Sequence, residues 1–428
     1  MVDHENTEDG GIEKPPWANL SAGLITGAAD DDPSGIATYS QVGAAFGYGM
    51  LWCVLVTMPL MIAIQAISAG IGRVTGHGLM DGMRKHYSHT LVYVLMGLTL
   101  VANVINLAAD IGAMGAALKL LIGGPALLYA AGFAVLSLVL QIFIPFTRYS
   151  PLLKLLTLSL FAYVATVLVI HVPWRAVLWS IVVPPISWNA KYAVGLVALL
   201  GTTISPYLFL WQAAQEVEEI GSNKRRRALR WAPLQAPSAL RRIGIDTTVG
   251  MIFSNLISFF IILTTAVVLH AHGKTDIQSS AEAAEALRPL AGNLAFALFA
   301  AGIIGTGLLA VPVLAGATAY GASGAFGQRS GLENKPRKAK FFYGVLIFAS
   351  LAGIALNLTP LDPIKALYWS AVVNGVTAVP LMIVMMLMGS SRKVMGKFTM
   401  PWPLKVFGWM ATVAMAAAAI VMFATWGT

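Results

Sequence analysis

The chain has 428 residues, of which 57% are hydrophobic and only 11% are charged. Soluble domains carry roughly 25% charged residues, so the composition excludes an ordinary soluble fold and predicts a polytopic membrane protein. One cysteine, Cys53, excludes an internal disulfide or a cysteine cluster for metal, and the meaning of the net charge of +9 depends on where the basic residues lie.

The first 17 residues are acidic and lack the basic region and cleavage site of a signal peptide, so 1–17 is predicted to be a cytoplasmic tail. The remainder, 18–426, is predicted to be a single transmembrane domain. Segments of about 20 mostly apolar residues are candidate membrane helices. Eleven segments meet this condition: 18–45, 49–72, 90–119, 126–146, 150–172, 191–219, 243–270, 292–321, 341–358, 364–389 and 403–426.

Successive connections between these segments lie on opposite sides of the membrane, and the basic residues are unequally divided between the two sides. With a cytoplasmic N-terminus, one side receives most of the 28 Lys and Arg residues, including a cluster from Lys224 to Arg242. The other side receives only Lys119, Arg175, Lys191, Lys274, Arg288 and Lys365. The positive-inside rule therefore predicts a cytoplasmic N-terminus and, with eleven spans, an external C-terminus. The run KRRRALRW is interpreted as a topology signal in contact with lipid, and no nucleic-acid partner is expected.

Two of the predicted helices are interrupted. In the first, DDDPSG separates two apolar halves at Pro33, and in the sixth Pro206 separates YAVGLVALLGTTIS from YLFLWQAAQEVEE. Non-helical backbone at membrane depth survives where it is buried in protein or lines a cavity, and broken helices in corresponding places indicate a transporter site. Their separation by five helices predicts two inverted repeats, 18–172 and 191–389, with an extra helix at 403–426. The alternative is that each proline only kinks an ordinary helix.

Three aspartates precede Pro33. Carboxylates inside a membrane are costly and are usually functional. We therefore expect Asp32 to face a cation near the middle of the membrane, with Asp30 and Asp31 either nearer to water or partnered elsewhere.

These residues resemble the NRAMP family of divalent metal transporters. The stretch DPSGIATYSQVGAAFGYGMLW keeps the family's Asp-Pro, Ala-Thr, Gln-x-Gly-Ala and Gly-Tyr, RVTGHGLMDGMRKHY is similar to the end of its second helix, and LFAAGIIGTGLLAVPVLAGA keeps the small residues of its eighth. The resemblance implies an all-α, LeuT-type (APC superfamily) fold with an inverted 5+5 repeat, broken helices 1 and 6, and alternating access.

The chain departs from the family's ligand pattern at several positions. Aligned on the two prolines, Asp32 is retained, Gly35 replaces an Asn, Thr202 falls near a ligating carbonyl, and Ser205 replaces a Met. Thioether ligands favour soft metals, whereas hydroxyls and carbonyls suit harder ions such as Mg2+, which keeps several of its waters. The pattern resembles the NRAMP-related magnesium transporter subgroup. The predicted metal residues are Asp32, Gly35, Thr202, Thr203 and Ser205.

The groups available for proton transfer are also reduced. Tyr207 and Gln212 replace two histidines of the family, and Ala113 replaces a Glu, although Asp110 remains in helix three. Asp110, Tyr207, Gln212 and Asn374 are the candidate pathway or relay residues. Asp110 alternatively caps a polar network with Asn103 and Asn106. We expect transport that is not coupled to protons.

The predicted function is uptake of a partly hydrated Mg2+, with Mn2+ also accepted. The alternatives are a proton-coupled Mn2+/Fe2+ transporter, a small organic solute carrier of the same fold, and a non-transporting metal sensor. No enzymatic activity and no cofactor besides the transported ion are expected. The bacterial inner (plasma) membrane is the expected location. The sequence does not determine the oligomeric state, and a monomer is the simplest expectation.

Overall fold

The computed structural model describes residues 26–27, 29–144, 157–187, 189–222, 225–332, 334, 336–359 and 362–425. The predicted tail, 1–17, lies outside this part of the chain, as does 145–156. The described residues are largely helical and contain no β-strand, which confirms the all-α prediction.

The helices divide into those before and those after the connection near residue 185. The first group is α1 Pro33–Phe46, α2 Leu51–Thr75, α3 Leu79–His86, α4 His89–Ile122, α5 Ala126–Phe143, α6 Phe161–Val169 and α7 Trp174–Val182. The second group is α8 Ala190–Thr203, α9 Pro206–Ser222, α10 Ala236–Val268, α11 Ser280–Ala284, α12 Arg288–Ala291, α13 Ala295–Ala325, α14 Lys340–Leu356, α15 Pro363–Ser390, α16 Arg392–Met395 and α17 Trp402–Ala424.

Both predicted helix breaks are present. Residues 29–30 are helical, Asp31 and Asp32 are not, and a new helix begins at Pro33. At the second break α8 ends at Thr203 and α9 begins at Pro206, with Ile204 and Ser205 between them. Proline begins each second half because its missing N–H is not needed in a first helical turn. The alternative in which these prolines only kink continuous helices is therefore wrong.

The predicted count of eleven membrane helices is not confirmed. By length and composition, eight helical stretches of the described chain are apolar enough to cross a membrane. The first two predicted segments form one stretch of 43 residues, Pro33–Thr75, and Lys340–Leu356 is a shorter apolar helix. The fifth segment differs most, because Leu158–Val169 and Trp174–Val182 are bent by 114°. The short helices α3 and α7 were not predicted, and they lie in predicted connections.

Helix α1 lies at the centre of the bundle. It packs against α4, α8, α10 and α15, so the first break is surrounded by helices from both groups. Close approach between α8 and α15 depends on Gly201, where a Cβ would overlap the backbone of Ala371 and Gly375. Such small residues let membrane helices pack at short distance. This crossing holds the second break beside the first.

Candidate functional site

The carboxylate of Asp32 caps the N-terminus of α1. Its Oδ1 accepts a hydrogen bond from the backbone N–H of Gly35 at 2.7 Å, and Asp32 itself keeps an extended backbone. A side-chain oxygen in this position satisfies an N–H that a helix start leaves unpaired. The end of the helix thus fixes the carboxylate in place, and the side chain is only 1% exposed.

The second oxygen of this carboxylate joins three helices. Asp32 Oδ2 accepts from Tyr207 Oη of α9 at 3.0 Å and from Asn106 Nδ2 of α4 at 3.2 Å. Asn106 Oδ1 in turn accepts from Ser370 Oγ of α15 at 2.7 Å. Asp32, Tyr207 and Asn106 are among the residues named from the sequence, but the direct contact between Asn106 and Asp32 was not predicted.

Each proline of the breaks also frees a backbone carbonyl. Because Pro33 has no N–H, the carbonyl of Ala29, four residues earlier, lacks its helical donor, and the Tyr207 hydroxyl lies 2.9 Å from that oxygen. Pro206 likewise deprives the Thr202 carbonyl of its helical N–H donor. Ser205 Oγ donates to this carbonyl oxygen at 3.0 Å. A carbonyl oxygen has two lone pairs, so each of these oxygens can also be a ligand for a cation.

The predicted hydroxyl ligands lie at the second break. Ser205 Oγ is 2.7 Å from the Gly201 carbonyl, and Thr203 Oγ1 is 3.0 Å from the Leu199 carbonyl. Each hydroxyl donates its hydrogen to a backbone carbonyl, so the lone pairs of the hydroxyl oxygen remain available to a metal ion.

The two breaks face each other at Gly35 and Thr202. A Cβ on Gly35 would lie 3.4 Å from Thr202 Oγ1 and 3.1 Å from the Asp30 carbonyl. Gly35 therefore allows the two breaks to approach closely, and its N–H positions Asp32. The predicted metal residues Asp32, Gly35, Thr202, Thr203 and Ser205 all belong to these two breaks.

The predicted relay residues do not form one chain. Both oxygens of the Asp110 carboxylate are buried in α4 without a hydrogen-bond partner among the described residues. Gln212 Oε1 accepts from Thr26 Oγ1. Asn374 is buried in α15, and neither end of its amide has a hydrogen-bond partner among the described residues.

The alternative role for Asp110, a polar network with Asn103 and Asn106, is wrong. Asn103 Nδ2 donates to Thr318 Oγ1 at 2.9 Å, while Asn106 bonds Asp32. The helical rotation of α4 points the two asparagines to different neighbours.

The other two aspartates are buried as well. Ser254 Oγ of α10 lies 2.5 Å from Asp30 Oδ2 and 3.1 Å from Asp31 Oδ1. They are partnered elsewhere rather than nearer to water. No signal in the sequence pointed to Ser254.

Two cavities approach the site from opposite ends of the bundle without reaching it. One, of about 500 Å3, includes Gln41, Lys191 and Asp276 in its lining. The other, of about 630 Å3, includes His77, Asp81 and Glu218, and lies at what we call the basic end, which carries Arg73, Arg84, Lys85, Arg226 and Arg242. Neither cavity is lined by Asp32, Thr202 or Ser205, and these three side chains are at most 2% exposed. The centre is thus closed from both ends.

The arrangement suits an ion held by one carboxylate. Nowhere in the described chain do three or more His, Cys, Asp or Glu side chains converge to hold a metal. Around Asp32 the available ligands are hydroxyls, carbonyls and the amide of Asn106. Such oxygen donors are the ligands that hard cations prefer.

Comparison with known proteins gives one family. The family model described as "Natural resistance-associated macrophage protein-like" (Nramp) matches residues 23–425. A divalent metal cation transporter MntH of Klebsiella pneumoniae is 25% identical over 415 residues, which cover 95% of this chain and 94% of the relative. An MntH of Burkholderia ambifaria is 27% identical over 395 residues, covering 89% and 83%.

Solved structures share the fold. A manganese transporter of Eremococcus coleocola superposes with a TM-score of 0.72 at 19% identity, covering 98% of this chain and 88% of that one. MhsT in complex with L-phenylalanine gives a TM-score of 0.59 at 12% identity, covering 94% and 98%. These likenesses establish the LeuT-type architecture that the resemblance implied.

Proposed function

The chain belongs to the Nramp family, and from this premise we propose that it carries divalent metal ions across a membrane, taking up Mg2+ and also accepting Mn2+. The observation that carries this proposal is the ligand set around Asp32. One buried carboxylate is combined with hydroxyls and carbonyls from two facing helix breaks. Mg2+ gives up water reluctantly and is usually held through one or two carboxylates, with several waters retained.

Selectivity follows from Ser205 and Gly35. A hydroxyl at Ser205 gives no preference to the softer ions that a thioether would favour. Gly35 adds no side chain to the space between the breaks, so an ion that retains water would meet less obstruction there than an Asn side chain would offer. Mn2+ is accepted because oxygen ligands also suit it.

The proposed topology has eleven spans. At 1.5 Å per residue, the 43-residue stretch Pro33–Thr75 would measure about 64 Å if straight, roughly twice the hydrocarbon core, so it contains two crossings. Gly47, with φ of 56° at the end of α1, supports a turn between them. The bent pair and Lys340–Leu356 supply two further crossings.

We also propose the orientation and the partners. The basic end faces the cytoplasm of a bacterium and the C-terminus faces outward, as the distribution of Lys and Arg indicates. The partners are the metal ion and membrane lipid, the working unit is a monomer, and no cofactor is required.

Metal flux into proteoliposomes tests the function. The purified protein is expected to take up Mg2+, to take up Mn2+, and to show mutual competition between the two ions. Uptake of Mn2+ without transport of, or competition by, Mg2+ would refute the magnesium assignment and favour the manganese alternative. Uptake of an organic solute without either metal would refute both.

The variant Asp32→Asn tests the site in the same assay. It keeps the size of the side chain but loses the charge, and we expect flux to fall by about 100-fold, equivalent to about 2.8 kcal/mol. Asp362→Asn is the matched control. Asp362 caps α15 by accepting from the N–H groups of Ile364 and Lys365, and Asn caps a helix equally well. Equal flux in the two variants would exclude Asp32 as the charged ligand.

A further inference from the structure

A pocket of about 190 Å3 opens at the basic end, where the last turn of α2 meets the first turns of α10. Three of its lining side chains are arginines and none is a carboxylate. The lining is Arg73, Arg226, Gln235, Ser238, Ala239 and Arg242. At about 30 Å3 per water molecule, this volume suits a small tetrahedral anion with a few waters and is too small for a nucleoside.

Arg73 is buried in this pocket with unused donors. The residue is only 3% exposed, and its Nη2 donates to Gln235 Oε1 at 3.1 Å. Its Nε and Nη1 have no hydrogen-bond partner in the described part of the chain. A guanidinium stays charged, and a buried charged donor without an acceptor is costly. The side chain therefore favours an anion beside it.

Two further guanidinium groups are held in place by glutamates of α9. Arg242 Nη2 lies 2.7 Å from Glu216 Oε2 and 2.6 Å from Glu219 Oε2, and Arg226 pairs with Glu219 Oε1. Arg242 Nη1 is also buried without a hydrogen-bond partner among the described residues. Burial and then the like charge of Arg242 lower the pKa of Arg226, in keeping with positive groups packed together.

The start of α10 adds to the positive potential. Ser238 and Ala239 lie three and four residues after Gln235, and Arg242 lies four and three residues after them, so the four residues share one face of the helix. No side chain caps the N-terminus of this 33-residue helix. The first turn of a helix carries a partial positive charge and binds anions such as phosphate.

We propose that this arginine pocket binds a phosphate group, carried either by the headgroup of an anionic phospholipid or by free phosphate. The planar fork of a guanidinium matches phosphate oxygens in pairs. The pocket lies where apolar α2 and α10 meet the basic loop 225–232, which is the position expected of a site for a lipid headgroup. This binding is independent of the metal centre, so it does not depend on the proposed transport.

Binding to the purified full-length protein in neutral detergent tests the proposal by calorimetry. One titration compares inorganic phosphate with chloride at equal ionic strength. Another compares dioctanoyl phosphatidylglycerol with dioctanoylglycerol, which lacks the phosphate. We expect saturable binding of at least one phosphate compound and none of its phosphate-free counterpart. If only phosphatidylglycerol binds, the source of the phosphate group is a lipid. If only inorganic phosphate binds, the ligand is the free anion.

The variants Arg73→Gln and Arg226→Gln are expected to raise the Kd at least about tenfold. Arg241→Gln is the matched control, because it removes the same charge from the exposed neighbour of Arg242 and should leave the Kd unchanged. If Arg73→Gln fails to fold, the Kd of Arg226→Gln tests the proposal instead. The Arg226 side chain is 34% exposed, so its replacement should be tolerated by the fold. Equal weakening by Arg241→Gln, or no binding of either phosphate compound, would overturn the proposal.

Discussion

Ser205 is the residue at which the proposed selectivity can be reversed. Its hydroxyl lies on the second break and donates to the carbonyls of Gly201 and Thr202. A sulfur atom there would add a soft ligand without a large change in volume.

The variant Ser205→Cys is expected to shift selectivity towards soft metals. The ratio of Mn2+ to Mg2+ uptake should rise about tenfold, and Cd2+ should become a stronger inhibitor, both measured as competitive flux in proteoliposomes. Ser350→Cys is the control, because Ser350 is also buried and donates to the carbonyl four residues earlier, but in α14. If both variants respond alike, Ser205 is not a metal ligand.

The residues of the centre were predictable to different degrees. Asp32 and Tyr207 could be identified because each is adjacent to a proline that interrupts an apolar segment. The Asn106–Asp32 bond and the role of Ser254 could not, because they depend on how α4 and α10 are rotated towards α1. An apolar helix without a polar stripe gives no sequence signal for that rotation.

Among the elements, the crossing of α8 and α15 controls how closely the second break approaches the centre. Gly201→Ala would place a Cβ against the backbone of Ala371 and Gly375. We expect a loss of about 1–3 kcal/mol in stability, with reduced metal affinity, measured as thermal unfolding in detergent and as KM for flux. Gly132→Ala in α5 is the control, since nothing lies within 4 Å of a Cβ there. Comparable destabilisation by both would contradict the importance of this contact.

Helix α3 contains a charged cluster outside the membrane spans. Asp81 Oδ2 lies 2.8 Å from His77 Nδ1 and 3.4 Å from Lys85 Nζ. Burial tends to raise the pKa of Asp81, but the hydrogen bond and charge of His77 and the charge of Lys85 outweigh it, so the pKa is lowered. Its stabilising effect is therefore complete above the unfolded pKa of about 3.9 and is lost as the pH falls through the folded value.

The variant Asp81→Asn is expected to lose about 1 kcal/mol of the free energy of unfolding near pH 7, so its Tm should be lower than that of the wild type. The difference should shrink below about pH 4, as measured by Tm in detergent across this range. A difference that does not change with pH would mean that the carboxylate charge has no part in it.

The elements themselves were largely predictable, and the exceptions have a physical cause. Long apolar runs and the two prolines located most helices and both breaks. The 114° bend between Leu158–Val169 and Trp174–Val182 was missed because apolar composition continues on both sides of it. An apolar composition indicates that a segment is buried in lipid or protein, but it does not indicate where the chain changes direction.

For the whole molecule, the central prediction concerns the driving force. A divalent ion that crosses the full potential gains about 4.6 kcal/mol per 100 mV. The predicted relay residues Asp110, Gln212 and Asn374 bond separate neighbours or none among the described residues, which favours uncoupled transport.

A potential that is negative inside the vesicles is therefore expected to accelerate Mg2+ uptake, while a pH dye inside reports no metal-dependent acidification. The pH gradient alone, without a potential, should not concentrate the ion. Metal-dependent acidification that disappears in Asp110→Asn would refute uncoupled transport and assign a proton to that residue.

The Tyr207 hydroxyl has one hydrogen atom and two acceptors within reach, one on each side of the first break. It can satisfy the Ala29 carbonyl or the Asp32 carboxylate, but never both at once. Turning about a single C–O bond moves the hydrogen from one of these oxygens to the other, and it leaves the fold as it was. The first break can thus change which of its oxygens accepts from Tyr207 through the rotation of one hydroxyl, while Asn106 continues to bond the Asp32 carboxylate.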